Sequence, residues 1–219
     1  KTAYEMLRSL VGSEMCIRDR NKDQGYDTAL EACEKSLARL DCGYIDLYLI
    51  HWPLKDLRND SWKAFIELQK RGLCRSIGVS NFTIENLKEL EEKYDVLPAI
   101  NQVEFHPYHY QKELLEYCNS KNIIIEAYSP LVHAKRMDEP RLIAISDELG
   151  KTPAQVLIRW AIQRGMVVLP KSVNQDRIVE NFAVFDFDIS NSLMRRLDDL
   201  DERYVTCWDP HNPPPYAPV

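Results

Sequence analysis

The feature that most constrains this chain is a regular alternation between helical patterns and short apolar runs. From residue 27 onward, segments with apolar residues at helical spacing lead five times into a β-prone run. These runs are YIDLYLI, RSIGVSNF, AINQVEF, NIIIEAYSPL and MVVLPKS. Strands that are apolar on both faces and separated by helices are typical of a parallel sheet covered by helices. The sequence therefore predicts an α/β fold.

Two architectures fit this alternation, an open doubly wound sheet and a closed (β/α)8 barrel. An open dinucleotide-binding sheet normally carries G-x-G-x-x-G after its first strand, and none of the seven glycines forms that motif. Polar side chains instead follow the ends of several strands, where a barrel gathers its active site. This pattern favours the barrel. The polar positions are His51, Ser80, Asn81, Gln102, Glu104, Tyr128, Ser129, Lys171 and Ser172.

Composition narrows the class of protein. A chain of 219 residues with 45% hydrophobic residues can bury a substantial core, and its apolar runs are too short to span a membrane. The net charge of −6 without a basic stripe argues against nucleic acid as a partner. Scattered cysteines without a CxxC pair and no recognisable signal peptide predict a reduced, cytoplasmic protein. The spacing of His106 and His109 in HPYHY does not predict a metal site, because Pro107 disfavours a helix there and no further ligand lies nearby.

The segment LPKSVNQDRIVEN offers the clearest candidate site. A strand ends at Leu169, Pro170 interrupts it, and a helix begins near Asn174. Lys171, Ser172 and Arg177 would then face the free amides of a helix N-terminus, which favour an anion such as phosphate. The alternative is that both cations are simply solvated at a helix start.

Further strand-end residues suit neutral polar ligands. Ser80, Asn81 and Gln102 offer the donors and acceptors that a carboxamide needs, and His51 can donate a hydrogen bond to a carbonyl. Trp52 and Trp208 would supply an apolar wall for a substrate. The alternative for Ser80, Asn81, Gln102 and His51 is a buried polar group paired within the fold.

Several motifs together resemble the aldo-keto reductases. They are DLYLIHWP, FIELQKRGLCRSIGVSNF, NQVEFHP, EAYSPL and LPKSVNQDRIVEN, in the family's order over residues 21 to about 210. The resemblance is to the small monomeric bacterial and fungal type, which reduces small carbonyl compounds with NADPH. It implies a (β/α)8 barrel whose cofactor lies extended across the mouth.

The resemblance also assigns roles to residues. Lys171, Ser172 and Arg177 match the positions that hold the 2′-phosphate of the cofactor, with Glu180 and Asn181 at the adenine. Ser80, Asn81 and Gln102 match those that fix the carboxamide, and Tyr128 matches the aromatic residue that stacks on the nicotinamide. Ser129, Pro130 and Leu131 match the positions that line the path of the pyrophosphate. His51 matches the residue that orients the substrate carbonyl.

The N-terminal segment departs from the family. The family carries a D-T-A-x-x-Y stretch, and this chain has Lys1 at the position of its aspartate and Met6 at the position of its tyrosine. Arg18 stands at the position of the family's catalytic lysine. Arginine cannot replace that lysine, because its pKa is too high to be tuned. YEMLRSLVGSEMCIRDR resembles a translated sequencing adapter fused to a reductase at Asn21.

These departures set the expected domain organisation. We expect a non-native segment over residues 1–20 and a barrel domain over residues 21–219, with residues 204–219 as a C-terminal loop. The barrel should be incomplete, with about five C-terminal strands present and the first three missing or replaced. A chain that lacks three of the four catalytic residues should show little or no turnover.

Two alternatives to a reductase stay open. One is a non-catalytic nucleotide-binding barrel, such as a regulatory subunit. The other is a phosphate-binding barrel isomerase, which also uses the mouth formed by the last strands and predicts no change in NADPH fluorescence. The substrate itself depends on variable loops.

Overall fold

The computed structural model describes residues 16–18, 21–207 and 209–210. In this part of the chain six strands form one sheet in sequence order, and every neighbouring pair is parallel. The strands are β1 (Cys16–Arg18), β2 (Ile45–Ile50), β3 (Cys74–Ser80), β4 (Ile100–Glu104), β5 (Ile124–Tyr128) and β6 (Val167–Val168). Successive parallel strands that lie side by side form the wall of a (β/α) barrel, so the predicted fold class is confirmed.

The sheet differs from the prediction at one edge. The five predicted strands correspond to β2 through β6, but β1 lies in the segment for which we expected no element of the fold. It pairs with β2, with Arg18 opposite Leu49. Among the described strands, β1 and β6 lie at the two edges of the sheet, and the expected incompleteness of the barrel stays a prediction.

Eight α-helices connect or follow the described strands. They are α1 (Tyr26–Leu40), α2 (Arg58–Lys70), α3 (Ile84–Lys93), α4 (Lys112–Ser120), α5 (Pro140–Leu149), α6 (Pro153–Gln163), α7 (Gln175–Phe182) and α8 (Asn191–Asp198). The described residues contain no helix with the length and hydrophobicity that a membrane-spanning helix requires.

Local sequence explains where these helices begin. Thr152 and Gln155 form a capping box at α6, and Pro153 occupies its first turn, which confirms the helix start predicted from the sequence. The Asn174 side chain accepts from the Arg177 backbone N–H and caps α7. The start of α7 therefore lies directly after the Lys171 and Ser172 loop.

Both faces of the sheet are buried. On the helix side, Tyr48 stacks on Phe65 of α2 with ring centroids 4.5 Å apart. On the opposite side, Leu47, Leu49 and Ile100 form a separate small cluster. Successive strand residues point to opposite faces, so Tyr48 and Leu49 belong to different clusters. This burial holds the strands in register and brings their carboxyl ends to one side of the sheet.

Candidate functional site

The carboxyl ends of β2 to β5 carry a hydrogen-bonded network centred on Asn81. The Asn81 Nδ2 atom donates to the backbone oxygen of His51 (3.1 Å) and to Ser80 Oγ (3.1 Å). Its Oδ1 atom accepts from the Tyr128 hydroxyl (2.8 Å), and Ser80 Oγ donates to the Gln102 backbone oxygen (2.8 Å). The structure thus brings together five predicted site residues, which we call the strand-end network.

Two residues at this edge have left-handed backbones. Asn81 has φ 63° and Ser129 has φ 50°. Positive φ is uncommon for residues other than glycine and concentrates at functional sites. Asn81 tolerates this conformation better than most residues, so one residue type meets both the backbone and the side-chain requirements of the site.

Gln102 has a buried carboxylate partner that was not predicted from the sequence. Its side-chain Nε2 donates to the Glu126 carboxylate in a short hydrogen bond, and both residues are buried. Glu126 is the direct neighbour of Gln102 in the pairing of β4 with β5. Glu126 was not predicted as a site residue, because a single acidic residue in an apolar strand gives no signal of its partner.

A cavity of about 440 Å³ lies beside the start of α7. Six predicted cofactor residues line it: Leu131, Lys171, Ser172, Arg177, Glu180 and Asn181. The other lining residues were not predicted: His133, Ala134, Met137, Thr152, Pro153 and Ala154. The structure therefore gathers residues from three separate chain segments around one space.

The loop before α7 presents cations to this cavity. Ser172 Oγ accepts from the Asn174 backbone N–H (3.1 Å), which shapes the loop. Lys171 and Arg177 are both exposed, and within the described part of the chain neither forms a salt bridge. Two cations at a helix N-terminus are suited to bind a phosphate group.

The opposite wall of the cavity is held by α6. Thr152 Oγ1 donates to Glu180 Oε1 (2.5 Å), and Gln155 Nε2 donates to the backbone oxygens of Glu180 (3.3 Å) and Ala183 (3.0 Å). The capping box at Thr152 predicted only a helix start. Its second role at the cavity wall depends on a contact with a distant segment.

The loop after β5 runs between the network and the cavity. Ser129 Oγ lies 3.1 Å from His133 Nε2, Pro130 is buried, and Leu131 reaches the cavity. Val132, His133 and Ala134 follow with φ between 50° and 61°, an unusual run of left-handed residues. The expected order along the cofactor, from Tyr128 to the cavity, is compatible with this path.

Glu104 is a buried carboxylate at the end of β4. Burial opposes its ionisation, but hydrogen bonds from His106, Thr206 and the Cys207 amide outweigh that effect and lower the pKa of Glu104 to about 2. His106 Nε2 lies 3.1 Å from Glu104 Oε1. Burial, reinforced by His106, lowers the pKa of His109. Among the described residues, no group of three His, Cys, Asp or Glu side chains is arranged to bind a metal.

The remaining predicted positions are only partly described. Trp52 is buried, and its backbone oxygen accepts from Gln24 Nε2 (2.8 Å). Trp208, Lys1 and Met6 lie outside the described residues. Arg18 is the last residue of β1, beside the strand that leads to His51.

The chain is similar to known proteins over most of its length. A model of the aldo/keto reductase family matches residues 10–139 and 133–202. Glyoxal reductase of Bacillus subtilis (strain 168) is 49% identical over 185 residues, which are 84% of this chain and 67% of that protein. The 9,11-endoperoxide prostaglandin H2 reductase of Trypanosoma cruzi (strain CL Brener) is 45% identical over 195 residues, 88% of this chain and 69% of that protein. The chain thus spans about two thirds of the length of these relatives.

Solved structures share the same fold. A crystal structure of a Gox0644 variant in complex with NADPH matches with a TM-score of 0.86 and 38% identity, covering 90% of this chain and 74% of that chain. The Bombyx mori aldo-keto reductase AKR2E4 in complex with NADP matches with a TM-score of 0.84 and 30% identity, covering 98% of this chain and 78% of that chain.

Proposed function

This chain belongs to the aldo/keto reductase family, and on that premise we propose that residues 21–219 derive from an NADPH-dependent oxidoreductase that acts on small carbonyl compounds. The observation that carries the proposal is the cavity beside α7, which collects Lys171, Ser172, Arg177, Glu180 and Asn181. Each of these residues was predicted to hold the adenosine end of the cofactor. Their convergence on one space supports that assignment.

The chemistry of the cavity fits the adenosine half of NADPH. Lys171 and Arg177 would bind the 2′-phosphate at the N-terminus of α7, where the helix dipole also favours an anion. Glu180 and Asn181 would offer acceptor and donor groups to the adenine edge. Leu131 lines the same cavity and supplies apolar contact.

The strand-end network fits the nicotinamide half. Asn81, Ser80 and Gln102 would position the carboxamide, and Tyr128 would pack against the ring. When bound, NADPH supplies the hydride that reduces a carbonyl carbon. The His51 side chain would orient the carbonyl oxygen through a hydrogen bond, because His51 lies at the end of the neighbouring strand β2.

Proton delivery distinguishes this chain from an active relative. Lys1, Met6 and Arg18 stand where the family resemblance places the aspartate, the tyrosine and the lysine. Without the tyrosine, no group at that position can protonate the carbonyl oxygen. We therefore propose that the chain of this sequence binds NADPH but turns over little carbonyl substrate. The same substitutions favour a second candidate, a non-catalytic nucleotide-binding barrel.

Cofactor binding tests the cavity assignment. NADPH and NADH differ only in the 2′-phosphate, so Arg177→Ala should weaken NADPH about tenfold, the value of one charge-assisted hydrogen bond, while NADH affinity stays nearly unchanged. The measurement is NADPH fluorescence on titration with protein. Arg39→Ala removes an exposed arginine from the end of α1 and serves as the matched control. Equal losses for NADPH and NADH would contradict the phosphate site.

Turnover separates the two candidate functions. We expect no detectable oxidation of NADPH when the chain is mixed with a small aldehyde. A measurable kcat that disappears in the His51→Ala variant would overturn the proposed inactivity and establish a reductase. A monomeric state and a cytoplasmic location stay predictions, the first of which is checked by light scattering on the eluting protein.

A further inference from the structure

The C-terminal strap, residues 201–207 and 209–210, crosses the carboxyl ends of β4 and β5. The Tyr204 backbone N–H donates to the Tyr108 backbone oxygen (2.8 Å). The Arg136 guanidinium lies over the Tyr204 ring, 4.5 Å from its centroid. These contacts fasten the beginning of the strap to the loops that follow the two strands.

Glu104 holds the next part of the strap. Its Oε1 atom accepts from the Thr206 backbone N–H (2.8 Å) and, in a short hydrogen bond, from the Thr206 hydroxyl. Its Oε2 atom accepts from the Cys207 backbone N–H (2.9 Å). Both carboxylate oxygens of a side chain that is only 4% exposed therefore accept hydrogen bonds from the strap, and Oε1 also lies 3.1 Å from His106 Nε2. Hydrogen bonds to a carboxylate are stronger than those between neutral groups.

The described part of the strap reaches the strand-end network. Val205 and Pro210 line one small cavity together with Asn81, Tyr128 and Glu104. Residues on either side of the Glu104 contacts thus cover the part of the site assigned to the nicotinamide. The conformation of that cover depends on a carboxylate that does not itself line the adenosine cavity beside α7.

We infer that Glu104 is a positioning residue that latches the C-terminal strap over the strand-end network and thereby sets the affinity for the nicotinamide half of the cofactor. The inference rests on the proposed function for the location of the nicotinamide. Glu104 acts through Thr206 and Cys207, so its loss should affect one half of the cofactor and not the other.

The Glu104→Gln variant removes the latch with little change in volume. A glutamine side chain offers one acceptor oxygen and places an NH₂ group where the carboxylate had its second acceptor. That NH₂ group would face an N–H donor of Thr206 or Cys207. The matched control is Glu116→Gln, an exposed residue of α4 whose carboxylate lies 3.8 Å from Lys112 on the same helix.

Two ligands distinguish positioning from general damage. NADPH spans both halves of the site, whereas adenosine 2′,5′-bisphosphate carries only the adenosine half. We expect Glu104→Gln to weaken NADPH by about tenfold and to leave the bisphosphate affinity within about twofold, as measured by titration calorimetry. Parallel losses for both ligands, or no loss for NADPH, would overturn the inference.

Amide exchange tests the latch without any ligand. The Thr206 and Cys207 amides should exchange slowly with solvent in the parent chain and at least about tenfold faster in Glu104→Gln, followed residue by residue by NMR. Unchanged exchange would overturn the latch. If Glu104→Gln does not fold, Thr206→Val removes only the hydroxyl donor and should accelerate the same two amides. Failure of the parent chain to bind either ligand would overturn the proposed function, while slow exchange of these amides would still support the latch.

Discussion

Replacing Asn81 should show how much the strand-end network stabilises the fold. Its side chain takes part in three hydrogen bonds, with His51, Ser80 and Tyr128, and is 4% exposed. Its backbone is left-handed, with φ 63°. Asn81→Ala removes the side-chain contacts and strains the backbone, whereas Asn81→Gly removes the contacts alone.

The two effects have separate magnitudes. Three hydrogen bonds at about 1 kcal/mol each give roughly 3 kcal/mol for the loss of the network. Backbone strain from alanine in a left-handed conformation destabilises the fold further, by roughly 1–2 kcal/mol. Glycine also gives the unfolded chain more conformational entropy than alanine, which destabilises the folded glycine variant by about 0.4–1 kcal/mol. This effect offsets part of the strain that the alanine variant carries. The glycine variant should therefore be the more stable by about 0.5–1 kcal/mol.

Urea unfolding followed by tryptophan fluorescence measures these differences, and Asn122 provides the matched control. Asn122 also has a positive φ, 56°, but it is exposed. Asn122→Gly should have little effect, and Asn122→Ala should show only the backbone strain. If the Asn81 variants lose no more stability than the Asn122 variants, the strand-end network does not stabilise the fold.

Three further changes probe the fold and the site. Gly78→Ala should destabilise the chain by about 1–3 kcal/mol in urea unfolding, because a Cβ atom there would lie 2.7 Å from a backbone oxygen of the neighbouring strand; Gly43→Ala, with no atom within 4 Å, should not. The folded pKa of Glu104 is lowered to about 2, so its stabilisation is present above the unfolded pKa of about 4.3 and lost as pH falls toward the folded value. Between those pH values the parent chain should lose roughly 2 kcal/mol relative to Glu104→Gln, and a constant difference would contradict this. Thr152→Val should lower the stability by about 1 kcal/mol through the lost helix cap and weaken NADPH binding by releasing Glu180. Thr152→Ser should preserve the stability and the NADPH affinity, which urea unfolding and fluorescence titration measure.

Much of the fold was predictable because its signals are local. Apolar runs on both faces identified β2 to β6, and the Thr152 capping box located the start of α6. β1 was not predicted, since three residues in a segment without periodicity carry no signal of their own. Its place in the sheet comes from pairing with β2.

The candidate site also has a part that was predictable from local sequence and a part that depends on the tertiary structure. The polar residues at the strand ends were identified from position alone, because parallel strands bring their carboxyl ends to one side. The family resemblance assigns Gln102 to a ligand, and the structure adds a buried protein partner for its side-chain amide, Glu126. That partner lies 24 residues away and became visible only once β4 and β5 were in register.

The sequence by itself determined the alternation of helices and strands, the caps, and the set of polar residues at the strand ends, because these depend on neighbours within a few positions along the chain. Only the tertiary structure decided that Thr152 holds Glu180, and that Glu104 holds the strap through residues more than 100 positions away. Such contacts depend on strand register and on the packing of distant segments, which local patterns do not encode. The segment over residues 1–20 illustrates this difference. Its sequence carries no barrel pattern, yet Cys16–Arg18 lies in the sheet because the edge of β2 offers it backbone partners.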